Sequence, residues 1–341
     1  MRTTYRAVQV SRPGTLELVE RETLDPGVGE VLIRVEACGI CGADVADIER
    51  ADPTLRPPRV PGHEVVGRIA VLGPNVPSLW KLGQRVGVGR LGGHCSECVQ
   101  CRRGQFHLCR NQPFVGATCD GGYAEMMVAR SSGLVAIPDE LASAEAAPIL
   151  CAGIATFNAL KKCRAQAGDT VAILGIGGLG HMALQYARRM GFRVVAVGRG
   201  RDTADDARAL GAHVYIDTDH EDAAARLQEL GGAQAILATI SHPDTVSALT
   251  SGLAPQGRLL LLAASQDLLP VSARQLVIGE RCVAGSITGS PYENEKTLEF
   301  SVLTGVRPMI EIMPLEKANE AYQKMKSGDA RFRMVLTIGD G

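Results

Sequence analysis

The chain has 341 residues, 45% of them apolar, with 36 Lys and Arg against 37 Asp and Glu for a formal net charge of -1. That length leaves room for two domains with substantial cores, and the balanced, scattered charge gives no electrostatic case for nucleic acid or an anionic membrane. The opening MRTTYRAVQV lacks the apolar core of a signal peptide, and no run approaches the roughly 18 apolar residues of a spanning helix. A cytoplasmic protein is expected, in which ten cysteines more often mean metal ligands than disulfides. In chain order, β-like runs first alternate with Gly and Pro turns: AVQV, EVLIRVEACG, HEVVGRIAVLG, QRVGVG and GYAEMMV. This is the pattern of an irregular β-rich domain. From about residue 150, the runs TVAIL, RVVAV, HVYI, AILAT, RLLLL and CVAGSI alternate with helix-length segments, which predicts the βα repeats of a parallel sheet. After about residue 288, ENEKTLEFSVLTG and PLEKANEAYQKMKSG predict two helices, the second ending at Gly328, and FRMVLTI predicts a closing strand.

Cys95, Cys98, Cys101 and Cys109 fall within fifteen residues as Cys-x2-Cys-x2-Cys-x7-Cys. The spacing reads as a closed structural zinc site, in which four thiolates surround a tetrahedral ion. Disulfides or an iron–sulfur cluster are the alternatives. The Gly92-Gly93 entry and short spacers predict a loop that wraps the ion without helix or strand, and a lobe (92–112) too small to fold on apolar contacts alone, so that metal binding supplies its folding energy. His94 and His107 are expected at the surface, since four cysteines already fill the site.

The sequence GIGGLG places Gly175, Gly177 and Gly180 in the Gly-x-Gly-x-x-Gly positions, with Gly178 and Leu179 between them. It follows a predicted strand and opens the apolar-periodic segment HMALQYARRMG, the context of a dinucleotide fingerprint. His181 is expected to cap or line that helix start. The next strand ends at Gly198 rather than at the carboxylate that would hold an NAD ribose. Arg199 and Arg201 follow, guanidinium donors suited to a 2′-phosphate. NADP(H) is therefore favoured over NAD(H), with Asp202 keeping NAD open.

Upstream, CGICGAD carries Cys38, Cys41 and Asp44, and PGHEVVG carries His63 and Glu64. One thiolate and one imidazole cannot complete a site, whereas a catalytic zinc takes three protein ligands and keeps a position open. Cys151 in PILCAG is the expected third. Cys119, Cys163 and Cys282 have no metal spacing and read as packing thiols.

In order and spacing, CGIC, PGHE, the four-cysteine lobe, PILCAG and GIGGLG resemble the zinc-dependent medium-chain alcohol dehydrogenases, over nearly the whole chain. The resemblance implies an α/β protein in which a GroES-like β-rich catalytic domain (1–149, completed by 288–341) is joined to a Rossmann domain with a doubly wound parallel sheet (150–287). It implies an active site in the cleft and a homodimer or homotetramer. It also implies two zinc ions per chain. By position Cys41, His63 and Cys151 match the catalytic ligands, Glu64 the acidic residue behind the metal, and Asp44 the partner that orients the ligand histidine. Cys38 matches no ligand. Arg333 resembles the arginine that reaches the cofactor pyrophosphate, and Thr239, Ala264 and Ile287 fall on loops bordering the cofactor. Arg90 stands on the approach to the lobe, where an aromatic often lines the substrate pocket, and would favour polar substrates.

The implied activity is hydride transfer between an alcohol/aldehyde pair and a nicotinamide cofactor, with zinc as Lewis acid and a small alcohol or carbonyl compound as substrate. One departure bears on mechanism. The position two after Cys41 usually carries a hydroxyl that passes the alcohol proton onward, and here it is Ala43; the basic residue and the histidine that extend that relay are replaced by Gly42 and Ala46. A reductase of imines or activated C=C bonds on the same scaffold is one alternative, and a non-catalytic cofactor-binding paralogue another, disfavoured by the intact ligand positions. A zinc-ribbon nucleic-acid module lacks its basic surface and stacking aromatics.

Overall fold

A computed structural model describes residues 4–50 and 58–339. The chain divides into two compact units, Met1–Ile154 with Thr288–Gly341, and Ala155–Ile287. In the first, β1 (Thr4–Arg12) and β2 (Thr15–Glu22) form an antiparallel hairpin turned at Gly14, whose φ of 79° suits glycine. The spine of the unit is β3 (Glu30–Ile40), eleven residues buried along most of their length. It pairs antiparallel with β4 (Val65–Leu72), which continues to β5 (Arg85–Val88). The strand β6 (Met126–Arg130) also pairs with β3, and β7 (Leu134–Ala136) pairs with β5. Val31, Ile33, Val65, Ile69, Val86 and Val88 lead the core between these strands.

The second unit is a six-stranded, wholly parallel sheet built from β8 (Thr170–Leu174), β9 (Arg193–Gly198), β10 (Val214–Asp217), β11 (Ala233–Ala238), β12 (Leu253–Leu261) and β13 (Cys282–Gly285), in the order β10-β9-β8-β11-β12-β13. Strands such as VAIL and VVAV read as unbroken apolar runs because helices cover both faces of such a sheet. The chain then returns to the first unit through the helix Pro291–Thr304, opened by a Ser290–Glu293 capping box, and adds β14 (Ile310–Pro314) and β15 (Arg333–Thr337). The β15 strand joins the mixed sheet beside β3, where Met334 faces Ile40. The helix Ala318–Ser327 stops at Gly328 in the left-handed region.

Three strands were not anticipated from sequence. The β2 segment TLELVERE is half charged, β7 has only three residues, and β14 is a short run behind Pro308. Strand β6 starts only at Met126, because Gly121–Tyr123 bond instead to the 60–62 backbone. The lobe is also not purely loop: Cys101 sits in a single helical turn, Val99–Arg102, and a 3-10 turn, Phe106–Leu108, precedes Cys109. The helical stretch Ser143–Lys162 has the length and mean apolarity of a spanning helix, although Glu145, Asn158, Lys161 and Lys162 keep any unbroken apolar run in it short, as expected. Its most apolar window is 83% buried inside the protein, as a core helix is.

Candidate active site

Four segments of the first unit converge on one cluster. Cys41 follows the end of β3, His63 and Glu64 lead into β4, Cys151 lies in a π-helical turn (Ile149–Gly153), and Arg333 opens β15. The π turn inserts an extra residue into a buried helix, a device that recurs at functional sites. Gly62, at φ 96°, makes the turn that delivers His63, and any Cβ there would run into the Tyr123 ring and Cys38. Gly39 donates its N–H to Glu64 O at 3.0 Å, and a Cβ on it would collide with the Glu64 carboxylate. Glycine is thus required at both places by close approach.

The donor atoms of Cys41, His63, Glu64 and Cys151 lie within 4.8 Å of one another. The two thiol sulfurs are 3.9 Å apart, and Cys151 Sγ is 3.5 Å from His63 Nε2. Around a tetrahedral zinc with bonds of about 2.3 Å to sulfur and 2.0–2.1 Å to nitrogen, those separations come to roughly 3.8 and 3.5 Å. The donor set fits the ion. On the far side of the ring, His63 Nδ1 lies 2.8 Å from Asp44 Oδ1, which leaves Nε2 facing the Cys151 sulfur, free to serve as a ligand. Asp44 is held in turn by the Cys41 N–H at 2.9 Å and the Tyr123 hydroxyl at 3.0 Å.

These side chains are almost fully withdrawn from solvent, and their acidities shift accordingly. Burial works against the charged His63 ring, but the charge and hydrogen bond of Asp44, with Cys41, outweigh it and push the group up to about 10. Burial pushes Glu64 up to about 7, although the guanidinium of Arg333, in direct contact with Glu64, pulls the other way. The hydrogen bond with Cys151 holds the Cys41 thiol well below its usual range in spite of burial, and the same bond and burial push Cys151 up. Cys38 is fully buried, turned toward Gly39 O.

Gly42 and Ala43 are exposed at the start of the helix Asp44–Glu49 and offer no hydroxyl or basic group. Arg90 does not present a free charge. It forks onto the buried Asp47, with Nη2 3.0 Å from Oδ1, and donates to Val115 O at 3.0 Å. Asp47 would otherwise be an uncompensated buried charge, so the expectation of a pocket-polarising arginine is corrected. Arg333 spends its Nη2 on Glu64, while its buried Nε has no hydrogen-bond partner among the described residues.

In the lobe, sulfur–sulfur distances run 3.5 Å for Cys98–Cys101, 3.6 Å for Cys95–Cys109, and 4.0 Å for both Cys95–Cys101 and Cys98–Cys109. They bracket the roughly 3.8 Å of four thiolates on one zinc. The backbone N–H groups of Glu97 and Cys98 hold Cys95 down to about 6, and those of Arg110 and Cys101 lower Cys98. Burial pushes Cys101 up to about 12. His94, expected at the surface, is half-buried and stacks on Phe106 at 4.2 Å.

In the second unit the turn after β8 is as tight as its glycines allow. Gly175 has φ 90°, a Cβ on Gly180 would strike Gly175 O, and Gly177 faces open space. One glycine serves the turn, one the close packing, and one leaves the helix start approachable, as a pyrophosphate cradle requires. His181 is buried beneath that helix start with Nδ1 3.3 Å from Gly177 O. Thr239 Oγ1 lies 2.8 Å from Leu174 O and 3.1 Å from Gly175 O, so it braces the turn. Ala264 and Ile287 lie exposed beyond the ends of β12 and β13.

A GroES-like unit and a glycine-rich parallel-sheet unit together define the medium-chain dehydrogenase/reductase class. Residues 27–139 match the model of the alcohol dehydrogenase GroES-like domain, and residues 178–302 match that of the zinc-binding dehydrogenases. The chain is 42% identical to the alcohol dehydrogenase patD of Aspergillus clavatus, over 98% of this chain and 92% of that one. It is 37% identical to an alcohol dehydrogenase of Geobacillus stearothermophilus, over 97% and 98%. Among solved structures it is similar to the acetophenone reductase from Geotrichum candidum in complex with NAD (TM-score 0.86, 26% identity, 99% and 98% covered). It is likewise similar to the CAD from Helicobacter pylori complexed with NADP(H) (TM-score 0.84, 26% identity, 99% of each chain covered). The chain belongs to the zinc-type medium-chain alcohol dehydrogenase family, and is an oxidoreductase of the alcohol–aldehyde type.

Tyr123→Phe is expected to lower stability by about 1.5–3 kcal/mol, the value of a hydrogen bond to a charged group, because Asp44 is buried with few other donors. Denaturant midpoints would check it; an unchanged midpoint would mean that the Cys41 N–H and the His63 ring satisfy the carboxylate without the hydroxyl.

Proposed function

We propose that the chain transfers a hydride between a small alcohol and its aldehyde or ketone, using a nicotinamide dinucleotide and a zinc ion held by Cys41, His63 and Cys151, with a second, structural zinc on Cys95, Cys98, Cys101 and Cys109. The observation that carries this reading is the cluster's separations of 3.9 and 3.5 Å, which suit a three-ligand zinc. Bound there, zinc would supply Lewis acidity toward an alcohol or carbonyl oxygen, and the dinucleotide would supply or take the hydride. Asp44 orients the ring of His63 and strengthens it as a ligand. Arg333, held in place by Glu64, favours the charged form of the Cys41 and Cys151 sulfurs.

For the cofactor, the end of β9 supports NADP(H). A Cβ at Gly198 would stand 2.5 Å from the Tyr215 hydroxyl, which itself donates to Gly200 O at 2.7 Å, so a carboxylate at Gly198 has no room. Asp217 on the neighbouring strand is engaged by the Gly200 and Asp219 N–H groups and by His220. Arg199 and Arg201 are exposed without an ion pair among the described residues, open to a phosphate. Gly175, Gly177, Gly178, Leu179 and Gly180 would cradle the pyrophosphate, with Thr239 bracing them and Ala264 and Ile287 at the border. Arg333 Nε retains a donor for a ligand oxygen.

A second reading rests on Ala43, Gly42 and Ala46. Without the hydroxyl relay, reduction of an imine or activated C=C bond, protonated from solvent, loses less than alcohol oxidation does.

Cys41→Ser is expected to abolish alcohol oxidation and lower zinc content from two ions per chain to one, with dinucleotide binding retained; metal analysis beside nicotinamide absorbance reads both, and retained activity would refute the ligand assignment. Ala43→Thr is expected to raise alcohol turnover, within the 10²–10⁴-fold that a positioned proton acceptor is typically worth. No gain in steady-state kcat would point to the second reading, tested directly on cyclic imines and enals. Replacing Arg199 and Arg201 together by Gln is expected to raise KM for NADPH by about tenfold or more while leaving NADH unchanged; equal effects on both cofactors would remove the case for a 2′-phosphate site.

A further inference from the structure

The second unit holds an open surface depression of about 600 Å3 lined by Arg164, Gln166, Gln234, Gln256, Arg258, Glu280 and Cys282, of which Arg164, Gln166, Gln256 and Glu280 are exposed to solvent. It lies at the N-terminal ends of four adjacent strands, β8, β11, β12 and β13, the opposite end of the sheet from the glycine-rich turn after β8. Its volume falls in the range of small-molecule sites.

At three of those strands, β8, β12 and β13, a lining side chain is presented by an unusual backbone route. The chain has five non-glycine residues with positive φ among those described, and three of them line this depression: Arg164 at 64°, Gln256 at 60° and Glu280 at 48°. Gln256 is thrown out by the Pro255–Gly257 excursion, which interrupts the pairing of β12 with β11 between Leu253 and Arg258. Glu280 ends the helix Ala273–Gly279 in the left-handed region and leads into β13. Long side chains are rare in that conformation, and its clustering around one concavity is what a ligand clamp shows.

The lining carries two guanidinium groups against one carboxylate. Glu280 accepts from Gln256 Nε2 at 2.8 Å and is thereby engaged. Arg258, which stands opposite Cys282 across β12 and β13, has no side-chain hydrogen bond or carboxylate partner among the described residues, and neither has the Arg164 guanidinium. Gln166 turns its Nε2 onto Arg164 O at 3.4 Å, so the two guanidinium groups and the Gln234 carboxamide are the donors left on the lining. Such a set matches a phosphate or carboxylate group, which guanidinium recognises bidentately, on a polar body that the carboxamide can bond. Cys282, read from sequence as a packing thiol, is half-buried and also forms part of the wall.

We propose that this depression is a second ligand site, separate from the dinucleotide and metal sites, that binds a small oxyanion of sugar-phosphate or dicarboxylate size through Arg164 and Arg258. The site asks nothing of the reaction and stands whether or not the cofactor and metal assignments hold.

Calorimetric titration of the purified full chain with ribose 5-phosphate, inorganic phosphate and succinate, with and without NADPH or NADH, tests it. Saturable binding that persists when the dinucleotide is present, and that weakens by about tenfold for Arg164→Gln or Arg258→Gln and by more for the pair, is expected. Ribose 5-phosphate and phosphate binding without succinate assigns a phosphate ester, and the reverse assigns a dicarboxylate. No binding of any probe to about 10 mM, binding abolished by dinucleotide, or binding unchanged in a double variant with wild-type circular dichroism and Tm would overturn the proposal. Should the double variant not fold, Gln234→Leu with the same titration takes its place.

Discussion

The structure is organised around an electrostatic problem, the gathering of ionisable side chains where water does not reach. Asp44, His63 and Glu64 have no solvent exposure, and Cys41, Cys151 and Arg333 are nearly as buried. Isolated, each charge would carry a desolvation cost of several kcal/mol. The fold offsets it by pairing: Arg333 on Glu64, Asp44 on His63, the Cys41 N–H and Tyr123 hydroxyl on Asp44. The partners come from positions as distant as Glu64 and Arg333, so the pairing also fixes how the returning C-terminal segment joins the sheet. The sulfurs of Cys41 and Cys151, 3.9 Å apart, are the part that these pairs leave unbalanced, and the proposed dication addresses it.

Because the partners must approach closely, the backbone around them cannot carry ordinary side chains. Gly39 and Gly62 are set by van der Waals contact with Glu64 and Tyr123, and Gly180 by contact with Gly175 O. The same constraint therefore operates around the buried cysteine–histidine cluster and in the glycine-rich turn: a close-packed atom dictates the absence of a Cβ. The lobe solves its version differently, with backbone N–H groups directed at sulfur, since it has few apolar neighbours to pack.

Much of this was legible in the sequence. The lobe spacing, GIGGLG behind an apolar strand, and the triplet Cys41, His63 and Cys151 each carry local information, and the residues do come together as donor sets. What was hidden depends on tertiary contact. Nothing near Tyr123 signals that its hydroxyl reaches Asp44, and Asp47 shows no local sign of being buried against Arg90, so the arginine read as a free charge. The pairing of Arg333 with Glu64 spans most of the chain. The depression behind β8, β11, β12 and β13 was invisible for another reason: left-handed backbone at Arg164, Gln256 and Glu280 contradicts local propensity, and only the sheet makes it tenable.

The missing relay is where sequence and geometry bear jointly on the chemistry. In the proposed site Ala43 and Gly42 are both exposed, so water can occupy the space that a hydroxyl would fill, and solvent becomes the proton acceptor. Water in that position is unoriented and a weak base near neutral pH, so proton transfer there is slower than through a positioned hydroxyl, and by microscopic reversibility the cost falls equally on alcohol oxidation and on carbonyl reduction. What two positions without a polar atom change is therefore not the direction but which substrates lose least: those whose proton is exchanged with solvent outside the site, which is why the imine and activated C=C reading rests on the same two residues.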